Sequence, residues 1–254
     1  MMKATSKLSM ERISVAPAYK VVSNAIEQQI MQGVIKAGDV LPSETALAEQ
    51  LGVNRSTVRE GIRLLEQNGL VRRQGGKKLF ASVPRYHETA AHVSRAMVLH
   101  EVTFQELWET IMALEPVAAE LAAERATEAE VAALDDNLER TRRSLANSES
   151  LTELDIEFHH LIAKASHNRA LLLAREPLSH LFYPAFYNVM SRLNAGERLF
   201  YAHDRIVEGV RNRNPKAARE WMEKHIVDFR RGYELANLDM HAQVQPPALP
   251  PASD

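Results

Sequence analysis

Apolar and polar positions along the chain follow a helical period almost throughout. Val22, Ile26 and Ile30 recur at fours between Tyr19 and Met31, which predicts a first helix. Gly33 and the run KAGDVLP interrupt it, and Ser43 is placed to cap a second helix reaching about Leu51. Gly52 ends that helix. Asn54 is placed to cap a third that runs to about Asn68, with Val58, Ile62 and Leu65 as its inward stripe. The runs LVRRQ and KKLFAS then read as two short strands around Gly75-Gly76, a hairpin signal.

Past Pro84 no strand signal carries weight. ELWETIMALEPVAAELAAERAT reads as a helix that Pro116 should break or kink, and TEAEVAALDDNLERTRRSLA as another capped by Thr127. Further helical patterns follow at LTELDIEFHHLIAKAS, RALLLAREPLSHLFYPAFYNVMSRL, GERLFYAHDRIVEGVRN and PKAAREWMEKHIVDFRRGYELAN, the last opened by Asn214-Pro215 as cap and first residue. The expected fold is mainly α: an N-terminal winged helix-turn-helix over residues 1–83, then an antiparallel all-α bundle over 84–238. Residues 1–15 read as a loose leader, and the Pro-rich stretch 239–254 as a disordered tail.

Composition narrows the class. With 45% apolar and 25% charged residues in 254, the chain can bury a core without help, and it has no cysteine for a disulfide or a thiolate ligand. No run suits a signal peptide or a membrane span, which predicts a cytoplasmic protein, nucleoid-associated when bound to DNA. The net charge of −2 is silent about partners, but residues 55–78 carry seven basic and two acidic side chains. A basic patch on an otherwise acidic chain is the pattern expected when one domain meets a polyanion.

That patch begins with NRSTVRE, a polar, arginine-bearing start to an amphipathic helix. In a helix-turn-helix the second helix enters the major groove and its first residues meet base edges and phosphates. Here those residues are Asn54, Arg55, Ser56, Thr57 and Arg59. The hairpin forms a wing, in which Gly76 lets backbone approach a groove and Lys77 and Lys78 reach phosphate or the minor groove.

The run LPSETALAEQLGVNRSTVREGIRLLEQNGLVRRQGGKK resembles the winged-helix domain of GntR-type bacterial transcription regulators over residues 18–82. The resemblance implies operator contacts from Arg55, Ser56, Thr57, Arg59, Gly76 and Lys77. Thr45 stands where the family often has arginine, and Gly75 where one subgroup has a groove-reading histidine.

The bundle carries a second constellation. Asp155 and His159 are four apart on one helix face, and His203 and His225 lie on two later helices. Spacing alone leaves two readings: histidines packed in a core, or a borderline divalent ion such as Zn, Ni, Mn or Fe held by one carboxylate and three imidazoles. His160 is turned about 100° from His159 around the helix, and His167 lies in the turn SHN; neither belongs to the set. The order D-x3-H, then two distant histidines, behind a GntR-type winged helix, resembles the FCD (FadR-type) effector domain over about residues 90–235. The resemblance implies that Asp155, His159, His203 and His225 hold a divalent metal on which a small organic-acid effector sits. Many relatives clamp that effector with an arginine where this chain has Ile111. Tyr187, Asn188 and Arg192 are the candidates to line the pocket instead, against a reading as ordinary bundle surface.

The expected function is a homodimeric, metabolite-responsive regulator, a repressor, on a pseudo-palindromic DNA operator. The alternative from another class is a metal-dependent hydrolase with an accessory nucleic-acid-binding domain. It lacks an HExxH-type pairing and leaves the basic winged helix without a purpose. A non-specific architectural DNA protein would explain the basic face but not the bundle.

Overall fold

The computed structural model describes residues 16–245, apart from Lys77, Arg85 and the side chains of His87 and Glu88. The chain divides into two compact units at residues 85/86.

In the first unit, helices α1 (Ala18–Met31), α2 (Glu44–Leu51) and α3 (Arg55–Gln67) precede the antiparallel pair β1 (Val71–Gln74) and β2 (Lys78–Ala81). Ser43 caps α2 as expected, its side chain accepting from the Ala46 N–H. Asn54 occupies the N-cap of α3 but its side chain makes no capping bond, so it stays available at the surface. Val58, Ile62 and Leu65 are fully buried with Val22, Ile26 and Leu47, which fixes the roll of α3 about its axis. Gly61 sets the distance between α1 and α3: a Cβ there would lie 2.9 Å from the Tyr19 carbonyl oxygen. The sequence did not announce a third rung on the hairpin. Val40 bridges Phe80, and the Leu41 N–H donates to the Leu79 carbonyl, so the linker before α2 ties into the wing.

The second unit contains α4 (Tyr86–Leu99), α5 (Phe104–Arg125), α6 (Glu128–Arg143), α7 (Ser148–Ala165), α8 (Arg169–Leu193), α9 (Gly196–Arg211) and α10 (Pro215–Leu235). Capping signals mark the starts well: Thr127 forms a capping box with Glu130, and Asn168 and Asn214 accept from the third residue of their helices. The expected break at Pro116 does not occur; α5 runs unbroken through it. Loss of one backbone bond is outweighed by a long packed helix whose Ala118, Ala119, Ala122 and Ala123 are fully buried, allowing α7, α9 and α10 to approach closely.

The tail also departs from expectation. The chain up to Gln245 is ordered against the start of α5: Phe104 and Gln105 donate to the carbonyls of Ala242 and Met240, and Val244 to that of Val102. Met240 and Val244 are buried, and this apolar anchorage offsets the ordering entropy that a polar, Pro-rich composition suggests is unmatched. Residues 246–254 lie outside the described residues. Among the described residues no helix is long and apolar enough to cross a membrane.

Candidate nucleic-acid interface and metal centre

In the first unit the burial of one face of α3 leaves Asn54, Arg55, Ser56 and Arg59 exposed on the other, with Thr57 half-buried. The Arg55 side chain is 69% exposed, although its Nε lies 3.6 Å from a Glu44 oxygen. Gly75 and Gly76 both have positive φ, 60° and 76°, with open space where a Cβ would stand, so the wing tip needs glycine for its backbone and not for room. Lys77 lies outside the described residues. Arg73 is bound to Glu44 at 2.8 Å and to Glu66 at 2.9 Å, so it fastens the wing to α2 and α3 and contributes little free charge. The same Glu44 carboxyl is held below its ordinary range, chiefly by its bond to Arg73.

In the second unit, α7 supplies Asp155 and His159, α9 supplies His203 and α10 supplies His225. All four are buried, and one donor atom from each lies within 4.8 Å of the others. The Asp155 Oδ1 is 3.7 Å from His159 Nε2, 3.3 Å from His203 Nε2 and 3.8 Å from His225 Nε2; the His159 and His225 Nε2 atoms are 3.2 Å apart. Donors bound to one zinc-sized ion at about 2.0–2.1 Å in a tetrahedron are separated by about 3.3 Å, so the spacing suits such an ion. Hydrogen bonding supports the fit. Asp155 Oδ1 and both His203 nitrogens are buried with no partner, which costs free energy; an ion would take a lone pair from Asp155 Oδ1 and from His203 Nε2, the ring nitrogen that faces it. The His203 ring stacks on Phe158 at 3.7 Å, which fixes its plane.

Glu115 of α5 lies behind this set, 98% buried. Its Oε2 is 3.1 Å from His159 Nδ1 and its Oε1 accepts from Arg175 Nε at 2.7 Å. Such a carboxylate fixes the ring orientation and raises the basicity of the coordinating nitrogen. Burial works against the Glu115 charge, but Arg175 and His159 together overcome it and hold the carboxyl down at about 2. Burial lowers the His203 and His225 pKa values well below the usual histidine range, so both rings are neutral and able to donate lone pairs. Burial raises Asp155; at His159, Glu115 and Asp155 outweigh burial and raise that ring too.

A cavity opens beside the donors. Asp155, His159 and His225 reach it together with Glu115, Arg175 and Ser179, and its walls are Ile111, Ile156, Phe182, Phe186, Ile226 and Phe229. Ile111 is one of the residues lining this cavity. The expected Tyr187, Asn188 and Arg192 are not among them. Helix α8 faces the cavity along Arg175, Ser179, Phe182 and Phe186, a stripe at helical spacing that leaves the other three off-phase. Tyr187 is 43% exposed, Asn188 donates to the Pro184 carbonyl and Arg192 to that of Ala236. Glu115, Arg175 and Ser179 were missed although a signal existed: each is a polar residue inside an otherwise apolar helical stripe. His160 and His167 pair instead with Glu176 and Glu130.

Comparison with known proteins agrees with both halves. Residues 18–80 match the model for bacterial regulatory proteins of the gntR family, and residues 106–228 match the FCD domain. The Glc operon transcriptional activator of Escherichia coli K12 is 28% identical over 89% of this chain and 92% of its own length. The HTH-type transcriptional regulator LutR of Bacillus subtilis is 30% identical over 78% of this chain and 93% of its own. The solved structure of Streptococcus agalactiae GntR superposes with a TM-score of 0.62 at 26% identity, covering 84% of this chain and 99% of that one. A hydrolase reading finds no support among these relatives, whose family acts by binding DNA and catalyses nothing. The chain belongs to the GntR family of bacterial transcription regulators and carries an FCD domain behind its winged helix.

Proposed function

We propose that the protein is a homodimeric repressor that reads a pseudo-palindromic operator through Asn54, Arg55, Ser56, Thr57, Arg59, Gly76 and Lys77. Residues 1–83 are, in this reading, the DNA-binding domain and residues 84–238 the effector-binding and dimerisation domain. In this reading Asp155, His159, His203 and His225 hold a divalent ion, and a small organic acid enters the adjoining cavity. The observation that carries it is the convergence of four buried donors, two of them with orphaned atoms, beside that cavity. The ion supplies Lewis acidity toward an oxygen ligand. Glu115 orients His159, and the apolar walls exclude water. An effector regulates only if it binds the DNA-competent and DNA-incompetent states with different affinity.

The test combines elemental analysis of the purified protein with selection of binding sites from random duplexes. The expected result is about one ion per chain, an enriched site with two symmetric halves, and loss of retardation on adding an organic acid. A protein that retains no divalent ion from buffer containing zinc or nickel, and enriches no sequence over competitor DNA, would refute it. Transcription in vitro from a promoter overlapping the selected site reads the sign of regulation.

A further inference from the structure

The cavity contains two buried polar groups that the metal site does not use. Arg175 and Ser179 are four apart on α8 and are 5% and 8% exposed. Arg175 commits its Nε to Glu115, but its Nη1 makes no hydrogen bond; the nearest Glu176 oxygen is 3.8 Å away. The Ser179 Oγ also has no partner, and both residues line the cavity. Buried guanidinium and hydroxyl groups facing one space with unmet donors are costly unless a ligand oxygen completes them.

The walls limit what that ligand can be. Three phenylalanines and three isoleucines offer no polar partner to the body of a sugar acid. Charge sets a second limit. Among the lining residues Arg175 is the one guanidinium or ammonium, and it already faces the carboxylate of Glu115. A second carboxylate would be buried without a counter-charge, at high cost.

We infer that Arg175 Nη1 and Ser179 Oγ form an oxygen-anchoring subsite that selects a monocarboxylate with an aromatic or branched apolar body. This rests on the metal-and-effector reading above and adds the class of the effector and the residues that choose it. In effect, α8 supplies the guanidinium from a position different from that of Ile111 on α5.

The experiment is calorimetric titration of the zinc-loaded full chain with phenylacetate, isovalerate, gluconate and succinate, in the wild type and in the S179A and R175K variants. Zinc content and thermal unfolding are measured alongside. R175K keeps a cation beside Glu115 while removing Nη1; S179A removes a single oxygen and guards against the case in which R175K fails to fold. The expected result is binding of phenylacetate or isovalerate at least tenfold tighter than gluconate or succinate. The loss of a hydrogen bond to a charged ligand should weaken that binding about tenfold in S179A, with zinc content unchanged. Tighter binding of gluconate or succinate, or equal phenylacetate and isovalerate binding by wild type and S179A, overturns the subsite while leaving the effector reading intact. Absence of binding by all four acids to protein with full zinc overturns both.

Discussion

Replacing Glu115 by glutamine tests the physical core of the bundle. The carboxylate is almost wholly buried and neutralises Arg175 while orienting His159. Glutamine keeps the shape and can satisfy one neighbour, but strands the guanidinium charge. Breaking a buried pair by removing one partner costs about 3–5 kcal/mol. The depressed Glu115 pKa points to a similar figure. A carboxyl held at about 2 against an ordinary 4.5 corresponds to about 3 kcal/mol. Because the folded pKa is depressed, this stabilisation is fully present above pH 4.5 and is lost as the pH falls toward 2. For a unit of this size the melting temperature should fall by about 10 °C at pH 7. Affinity for zinc should weaken about 10–100-fold, since His159 loses its orienting acceptor. Circular dichroism melts of metal-free protein and competition against a chelator measure the two effects. The double variant E115Q/R175M separates causes: removing the stranded charge should restore at least about 2 kcal/mol relative to the sum of the single changes. Additive single effects, or an E115Q protein with unchanged melting and zinc affinity, would refute the reasoning.

Three further outcomes are expected. Arg59→Ala should weaken operator binding by about 1–3 kcal/mol if the side chain reads a base, and should lower the salt slope by about one if it meets phosphate; retardation assays across a salt series distinguish the two, and unchanged binding at every salt rejects both. Gly61→Ala brings a Cβ to 2.9 Å from the Tyr19 carbonyl, and should destabilise the first unit by about 1–3 kcal/mol, seen as earlier loss of amide-exchange protection in α1 and α3 with the bundle unaffected. Zinc binding near pH 7 should release protons, because Glu115 and Asp155 raise the His159 pKa in the metal-free site and coordination needs the neutral ring; calorimetry in two buffers of different ionisation enthalpy reads the number released, and zero would contradict the raised pKa.

The sequence by itself determined most of the helices, because caps and the helical period are local: Ser43, Thr127, Asn168 and Asn214 each mark a start that the structure uses. It also determined which face of α3 is free, since burying Val58, Ile62 and Leu65 leaves Arg55 and Arg59 opposite. The four donors were nameable from residue type, spacing and resemblance. Their convergence was decided only in three dimensions, because α7, α9 and α10 are brought together by packing against the alanine face of α5. The same holds for the cavity. Arg175 and Glu115 gain their roles from partners 44 to 60 positions away along the chain, and Glu44 claims Arg73 across 29. A pairing at that separation depends on how whole helices pack, which no local pattern encodes. For that reason Tyr187, Asn188 and Arg192, candidates by position along the chain, are not among the residues lining the cavity, and the segment 239–245 was polar by composition yet held in place by two buried apolar side chains.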